Sequence, residues 1–412
     1  MSPKVLMIAY HFPPLAGSSG IQRTLRFVQQ LPRHGWEPVV LTVRPSAYER
    51  VSNDLMAEVP PDVVVKRSMA FDAARQLSIK GRYLAATSRP DRWMSWKYFG
   101  VLDGLQLIRE HRPAAIWSTY PIPTAHVLGS ELQRRSGLPW VADFRDPMAQ
   151  ENFPSDPVMR AQFHALEVRT VQQAALVTLT TPSATRSYRE RYGSTSARIE
   201  LLENGYDEAS FVGARGVGGP LNPGAITLLH SGIVYPSERD PTQLFAAVAR
   251  LRELGYLPPG VLKLRFRAAV HDQLLRELAS RHGVQDCLET LPPVGYAEAL
   301  SEMLRADALL VLQASNCNEQ IPAKIYEYLR AGRPILGLSD PAGDTWQVLA
   351  QAGVDSQAAL ASADDIVRVL GPYLDALRAG RAPLPTPAAV RAASRDSRSE
   401  RLAQLLDELT AR

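Results

Sequence analysis

Cysteine is nearly absent from this chain: two residues, Cys287 and Cys317, in 412. Two thiols cannot staple a chain of this length, so a disulfide scaffold is excluded and a reducing compartment is expected. Long apolar runs are missing too. None approaches the roughly 18 residues that a membrane-spanning helix needs. The run Val5-Leu-Met-Ile-Ala9 is too short for a secretory leader, so a cytoplasmic setting is expected. Neither a Gly-x-Gly-x-x-Gly nor a Walker-type loop is present, which excludes the usual dinucleotide and nucleoside triphosphate fingerprints. Charge of one sign is in small excess, +4 over the whole chain, and that excess is local, so general nucleic-acid binding is not expected. What the chain does hold is 45% hydrophobic and 21% charged residues, enough for two domains with real cores.

Short apolar runs alternate with helical patterns. Val5 to Ala9, Pro38 to Val43, Val63 to Val65, Ala114 to Trp117, Trp140 to Asp143 and Leu176 to Leu179 read as strands. Helical spacing lies between them, as from Ile21 to Leu31 and from His126 to Arg135. Repeated βα units predict a parallel sheet covered on both faces. Residues Val212 to Gly224 then hold five glycines and two prolines, which reads as a linker. The alternation restarts at Ile226 and runs through Leu262 to Phe266, Leu288 to Leu291 and Ala308 to Leu312. The expected division is 1–208, a hinge at 209–224, 225–385, and a final amphipathic helix within 386–412 that returns to the first domain.

Candidate site residues fall where strands end, the edge at which open α/β sheets bind ligands. After the first strand comes Tyr10-His-Phe-Pro-Pro-Leu-Ala-Gly-Ser-Ser-Gly20. Gly17, Ser18, Ser19 and Gly20 can bring backbone amides and a helix N-terminus to a phosphate or sugar oxygen. His126 lies just inside a later helix. Asp143-Phe-Arg-Asp-Pro147 closes another strand, and two readings of it stay open: Asp143, Arg145 and Asp146 position or deprotonate acceptor hydroxyls, or they brace the loop as an Arg–Asp pair. Two carboxylates on one loop do not make a metal site. In the second half, Gly232 permits close approach after a strand, and Arg239 precedes a helix where a diphosphate would meet guanidinium and amides together. Asn318-Glu-Gln-Ile-Pro-Ala-Lys-Ile-Tyr-Glu-Tyr328 follows the strand Ala308 to Leu312. Glu319 and Glu327 stand eight positions apart and are expected to face one cleft. Lys324 is placed for a phosphate, and the Glu327 carboxylate for the two hydroxyls of a ribose.

These pieces, in this order, resemble the retaining glycosyltransferases of family 4, whose fold is GT-B. Glu319 to Glu327 matches that family's Glu-x7-Glu motif, and Pro322-Ala-Lys-Ile-Tyr-Glu-Tyr328 looks like one of its subgroups. Gly17 to Gly20, Asn204-Gly-Tyr-Asp207 and the Gly232 to Arg239 segment fall in the family's order, so the resemblance covers nearly the whole chain. It implies an α/β chain of two Rossmann-like, doubly wound domains facing a cleft. It also implies a sugar moved, with retention, from a nucleotide-diphosphate sugar to a glycan, glycolipid or lipid-linked acceptor in bacterial cell-surface polysaccharide or glycoconjugate assembly. By that resemblance Glu327 holds the donor ribose and Glu319 contacts the transferred sugar. Arg239 and Lys324 take the diphosphate. Gly17 to Gly20, Gly232, Asn318, Gln320 and Ile321 line the donor, and His126, Asp143, Arg145 and Asp146 stand on the acceptor side. No metal and no cofactor is expected, the nucleotide sugar being a co-substrate. Gln320-Ile-Pro322 replaces the Gly-Phe-Gly that often follows the first glutamate.

One stretch has a charge of its own. Arg75 to Lys97 carries six basic residues and one acid. Within it, residues 89–99 interleave cations with Trp93, Trp96, Tyr98 and Phe99. That pattern is expected to touch the inner face of the plasma membrane peripherally, or else to be an ordinary loop with aromatics turned inward. Two further functions keep the fold: a non-catalytic subunit that binds a glycan or another transferase, and a sugar-nucleotide epimerase.

Overall fold

The computed structural model describes residues 2–17, 20–78, 88–150, 153–214, 216 and 218–411. The chain divides into two units, Met1–Asn204 with Arg395–Arg412, and Gly205–Ser394. In the first unit, strands β1 (Lys4–Ile8), β2 (Glu37–Val43), β3 (Val64–Ser68), β4 (Ala115–Thr119), β5 (Trp140–Arg145), β6 (Leu176–Leu179) and β7 (Arg198–Leu201) form one sheet in the order β3-β2-β1-β4-β5-β6-β7. Every pairing is parallel. In the second, β8 (Ile226–Ser231), β9 (Leu262–Arg267), β10 (Leu288–Leu291), β11 (Ala308–Gln313), β12 (Ile335–Ser339) and β13 (Gln357–Ala359) are ordered β10-β9-β8-β11-β12-β13, again all parallel. Both sheets are doubly wound. The order reverses between β1 and β4 in one and between β8 and β11 in the other.

Period-two alternation explains how helices cover both faces. Leu228, Leu310, Leu312, Leu336 and Leu338 enter one core with the helix Thr242–Glu253. Leu229, Leu309, Val311 and Ile335 enter another with the helix Lys324–Ala331. The same division in the first unit sends Val5, Met7, Trp117 and Val141 to a core completed by Leu402, Leu405 and Leu406 of the helix Arg395–Thr410. That helix is pinned at polar points as well: Ser399 Oγ donates to Gln30 Oε1 at 2.8 Å and Trp36 Nε1 to Asp407 at 2.9 Å.

The boundary differs from the expected linker. Asp207 caps the helix Glu208–Gly213, its carboxylate accepting from Ser210 N at 3.1 Å, and Phe211 is buried beside Tyr206. The second unit therefore begins at Gly205. Of the glycine- and proline-rich stretch, Gly219 is tied into this unit, its carbonyl accepting from Arg305 Nε at 3.0 Å. Likewise the helix Pro387–Ala392 belongs to the second unit, and the first resumes at Arg395.

The stretch 89–99 turns most of its aromatics inward. Trp96 is fully buried, Trp93 Nε1 donates to Ala47 O at 3.0 Å, and the Trp93 ring lies 4.5 Å from that of Tyr10. Arg92 is held by Asp72 and Glu49. Tyr98 is exposed. The interface of interleaved cations and aromatics expected here is thus mostly a packed segment, while Lys80 and Arg82 lie outside the described residues. Among the described residues no helix is long and apolar enough to cross a membrane.

Candidate active site

The second sheet reverses between β8 and β11, and the chemistry gathers at the carboxyl ends of those strands. β8 leaves the sheet through His230 and Ser231 into Gly232, whose φ of 115° is closed to most side chains. A Cβ at Gly232 would lie 3.2 Å from Lys324 Nζ, so the missing side chain leaves room for the ammonium. Lys324 opens the helix Lys324–Ala331, and Glu327 follows one turn later. Two bonds tie this helix to β8. Ser231 N donates to Tyr328 Oη at 2.9 Å, and Lys324 Nζ lies 3.0 Å from His230 Nε2. His230 is fully buried, and its Nδ1 lies 3.0 Å from Leu310 O on β11.

Burial sets the electrostatics. It drives the His230 ring well below its usual pKa, with Lys324 adding to the effect, so the ring is neutral. It also brings the Lys324 ammonium down to about 7. Arg239 pushes the same way and Glu327 opposes. Arg239 lies over the Tyr235 ring at 5.2 Å and donates from Nη1 to Ile233 O at 2.8 Å; its Nε is buried with no partner among the described residues. Glu327 accepts from Tyr296 Oη at 2.7 Å. Lys324 thus stands at the bare glycine, with Arg239 and an oriented carboxylate acting on it.

The loop before the helix is anchored at its back. Asn318 Nδ2 donates to Asp340 at 3.2 Å, Asp344 N to Asn318 O at 2.8 Å, and Thr345 Oγ1 to Gln320 O at 3.1 Å. Glu319 and Gln320 remain exposed and Ile321 is half-buried. A second tie joins this loop to the one after β8: Ala314 N donates to Glu238 O at 2.7 Å, and Asn316 Nδ2 to Ser237 O at 2.9 Å. A pocket of about 460 Å³ opens at the ends of β11, β12 and β13, lined by Asp240, Thr242, Ser315, Asp340 and Leu360 among others.

In the first unit the expected acceptor-side residues separate. Asp143 is fully buried and takes a two-pronged bond from Arg23, Nε to Oδ2 at 3.0 Å and Nη2 to Oδ1 at 2.8 Å. Thr119 and Thr178 hydroxyls donate to its two oxygens at 2.8 Å each. Burial alone would raise this carboxyl; Arg23 and the hydroxyls outweigh it and hold it below the usual carboxylate range. A carboxylate so saturated braces β4, β5, β6 and the helix Gly20–Gln30, and its partner is Arg23, not Arg145. His126 is in the core as well. It is fully buried, 2.8 Å from Ser118 Oγ and 4.7 Å from the Phe144 ring, and burial takes it to about 3. It packs; it does not face an acceptor.

Arg145 and Asp146 stay at the strand edge. Arg145 has a φ of 62° and a half-buried side chain, and Asp146 is exposed. A Cβ on Gly20 would strike Arg145 Nη1 at 2.6 Å and His11 Nδ1 at 2.4 Å, so the glycine lets helix and guanidinium meet. Burial lowers His11 to about 4, and Arg145 adds to this. Gly17 is exposed with a φ of 79°, and Ser18 and Ser19 lie outside the described residues. Sequence reasoning assigned no role to His230, Tyr296, Tyr328 or Arg23. His230 carried a signal, as the residue two places before the glycine that follows a strand, and Tyr328 closes the Pro322–Tyr328 motif.

The profile of a glycosyl transferase 4-like domain matches residues 19–205. No curated protein matches the chain by sequence. Among solved structures, sucrose-phosphate synthase from Thermosynechococcus elongatus superposes with a TM-score of 0.64 at 13% identity, over 99% of both chains. Anabaena HepE in complex with UDP and glucose gives 0.62 at 13%, over 98% of this chain and 100% of the other. A UDP-N-acetylglucosamine 2-epimerase gives 0.57 at 14%, over 100% and 98%. At such identities the likeness is one of fold, and that fold is GT-B.

Proposed function

We propose that the chain is a family 4-like glycosyltransferase that takes a nucleotide-diphosphate sugar on its second unit and transfers the sugar, with retention, to a hydroxyl of a glycan, glycolipid or lipid-linked acceptor. The observation that carries this is Lys324: an ammonium docked at the bare Gly232, beside Arg239 and Glu327, where the sheet reverses. The match to a glycosyl transferase 4-like domain and the fold shared with a UDP-bound protein support it. When the bond from the anomeric carbon to the diphosphate oxygen breaks, its electron pair stays with the diphosphate, and Lys324 and Arg239 stabilise that charge. Glu327, oriented by Tyr296, holds the ribose diol. Glu319 contacts the sugar. Saturation of Asp143 and burial of His126 leave Arg145 and Asp146 as the acceptor-side candidates. Polysaccharide or glycoconjugate assembly is the setting we assign.

The test is a screen of nucleotide sugars for release of the nucleoside diphosphate, with and without simple glycan acceptors. Glu327→Ala is expected to weaken donor binding and Glu319→Ala to lower turnover mainly. If no nucleoside diphosphate binds at millimolar concentration, the chain is a non-catalytic partner subunit. A second reading follows from the fold shared with an epimerase: interconversion of a UDP-sugar without UDP release would replace the transferase reading.

A further inference from the structure

We propose that His230 is a positioning residue for Lys324: a neutral acceptor built into the sheet that holds Nζ against Gly232, where an oxygen of the donor diphosphate would meet it. This rests on the reading of the site as a donor site. His230 is the penultimate residue of β8 and fully buried. Its Nδ1 lies 3.0 Å from Leu310 O. A carbonyl only accepts, so this bond, stronger than the ring's approach to the Ile233 carbonyl, puts the hydrogen on Nδ1. Burial and the neighbouring Lys324 keep the ring uncharged, so Nε2 has a lone pair and no proton. That lone pair faces Lys324 Nζ at 3.0 Å. A carboxylate in this place would neutralise the ammonium and compete with an anionic ligand. A neutral ring fixes the flexible lysine stem and leaves its charge for the phosphate.

The groups that face Lys324 are His230 on β8, Arg239 from the loop that follows, and Glu327 on its own helix, with Tyr296 holding Glu327. Because burial and Arg239 bring the ammonium down to about 7, most of it is neutral at pH 8 in the empty site. An arriving diphosphate raises it again. Binding therefore draws a proton into the site.

Calorimetric titration of UDP into the full chain at pH 8, in buffers of different ionisation enthalpy, reads this directly. UDP is already fully ionised there, so uptake reports on the protein. Wild type is expected to take up about 0.9 proton, the neutral fraction of a group titrating near 7. His230→Leu keeps the packing and removes the acceptor, and is expected to bind UDP at least about tenfold more weakly, the scale of one lost bond to a charged group. His230→Gln, which returns a carbonyl oxygen near the Nε2 position, is expected to recover to within about threefold of wild type. If leucine binds like wild type and glutamine does not, the ring only packs and the inference is overturned. Should the leucine variant not fold, the wild-type ring decides. Nitrogen-15 NMR is expected to show the Nδ1–H tautomer from pH 6 to 8, and an Nε2–H tautomer overturns the proposal. If wild type binds neither UDP nor GDP, the donor-site reading falls and this proposal with it. If wild type and His230→Leu bind alike with equal proton uptake, the donor site stands and only the role of His230 is lost.

Discussion

Asp143→Ala separates a brace from a catalytic base. The carboxylate is fully buried and meets an Arg23 side chain that is only 4% exposed. Removing it leaves a buried guanidinium without its counter-charge, which costs about 3–5 kcal/mol. The Thr119 and Thr178 hydroxyls also lose their acceptor, at about 1 kcal/mol each. Against this, Arg23 keeps its bonds to Leu202 O at 2.9 Å and Glu203 O at 3.0 Å, which offset part of the loss. The net expectation is about 3–5 kcal/mol, or roughly 6–20 °C in the melting of the first unit, given about 2–4 °C per kcal/mol at this size. Differential scanning calorimetry and UDP titration on the same sample measure both sides. The variant is expected to melt early and to bind UDP normally at low temperature. Adding Arg23→Met is expected to restore part of the loss, since the pair is then absent on both sides. The acid limb follows with a definite sign. The folded pKa of Asp143 is depressed, so its stabilisation is complete above about pH 4, the unfolded value, and is lost as pH falls through the folded one. Asp143→Ala is therefore expected to show a shallower loss of stability in acid. A variant that melts like wild type yet transfers no sugar would refute the brace and restore the base.

Two other substitutions test the remaining geometry. Gly232→Ala forces a side chain into a φ of 115° and sets a methyl 3.2 Å from Lys324 Nζ; a loss of about 1–3 kcal/mol in stability and weaker UDP binding are expected by thermal melting and calorimetry. His126→Phe is expected to leave UDP binding unchanged and to cost about 1–2 kcal/mol, because the Ser118 hydroxyl loses its bond to Nδ1 while its oxygen still accepts from Trp140 Nε1 at 2.8 Å. Because His126 titrates near 3 in the fold and near 6.5 unfolded, its contribution falls away as pH drops below about 6.5, and the variant is expected to flatten that part of a pH–stability curve.

The sheets were legible in the sequence where strands are buried on both faces, as in Ala308 to Leu312, because a continuous apolar run between turn residues has few other uses. β7 and β13 were not. Arg198-Ile-Glu-Leu201 is an edge strand with charged residues, and Gln357–Ala359 has three residues, so neither presents a run. The linker was misplaced for a related reason. Glycine and proline mark irregular backbone, but the crossing between units lies at Asn204 and Gly205, where Asn-Gly itself is the turn signal.

At the site, chain order alone determined which residues stand at strand ends: Gly232, Lys324, Glu327, Arg145. These follow from local periodicity, since a residue just past a parallel strand has only one edge to occupy. Only the tertiary structure decided what each one touches. Asp143 and Asp146 are near neighbours in sequence, yet one side chain points into the sheet's interior toward Arg23, 120 positions away, and the other is exposed. His230 and Lys324 lie 94 positions apart and meet because β8 and β11 are paired at the point where strand order reverses. Burial then shifted both toward neutrality. No spacing in a sequence carries that information, because the cost of a buried charge depends on every neighbour that excludes water from it.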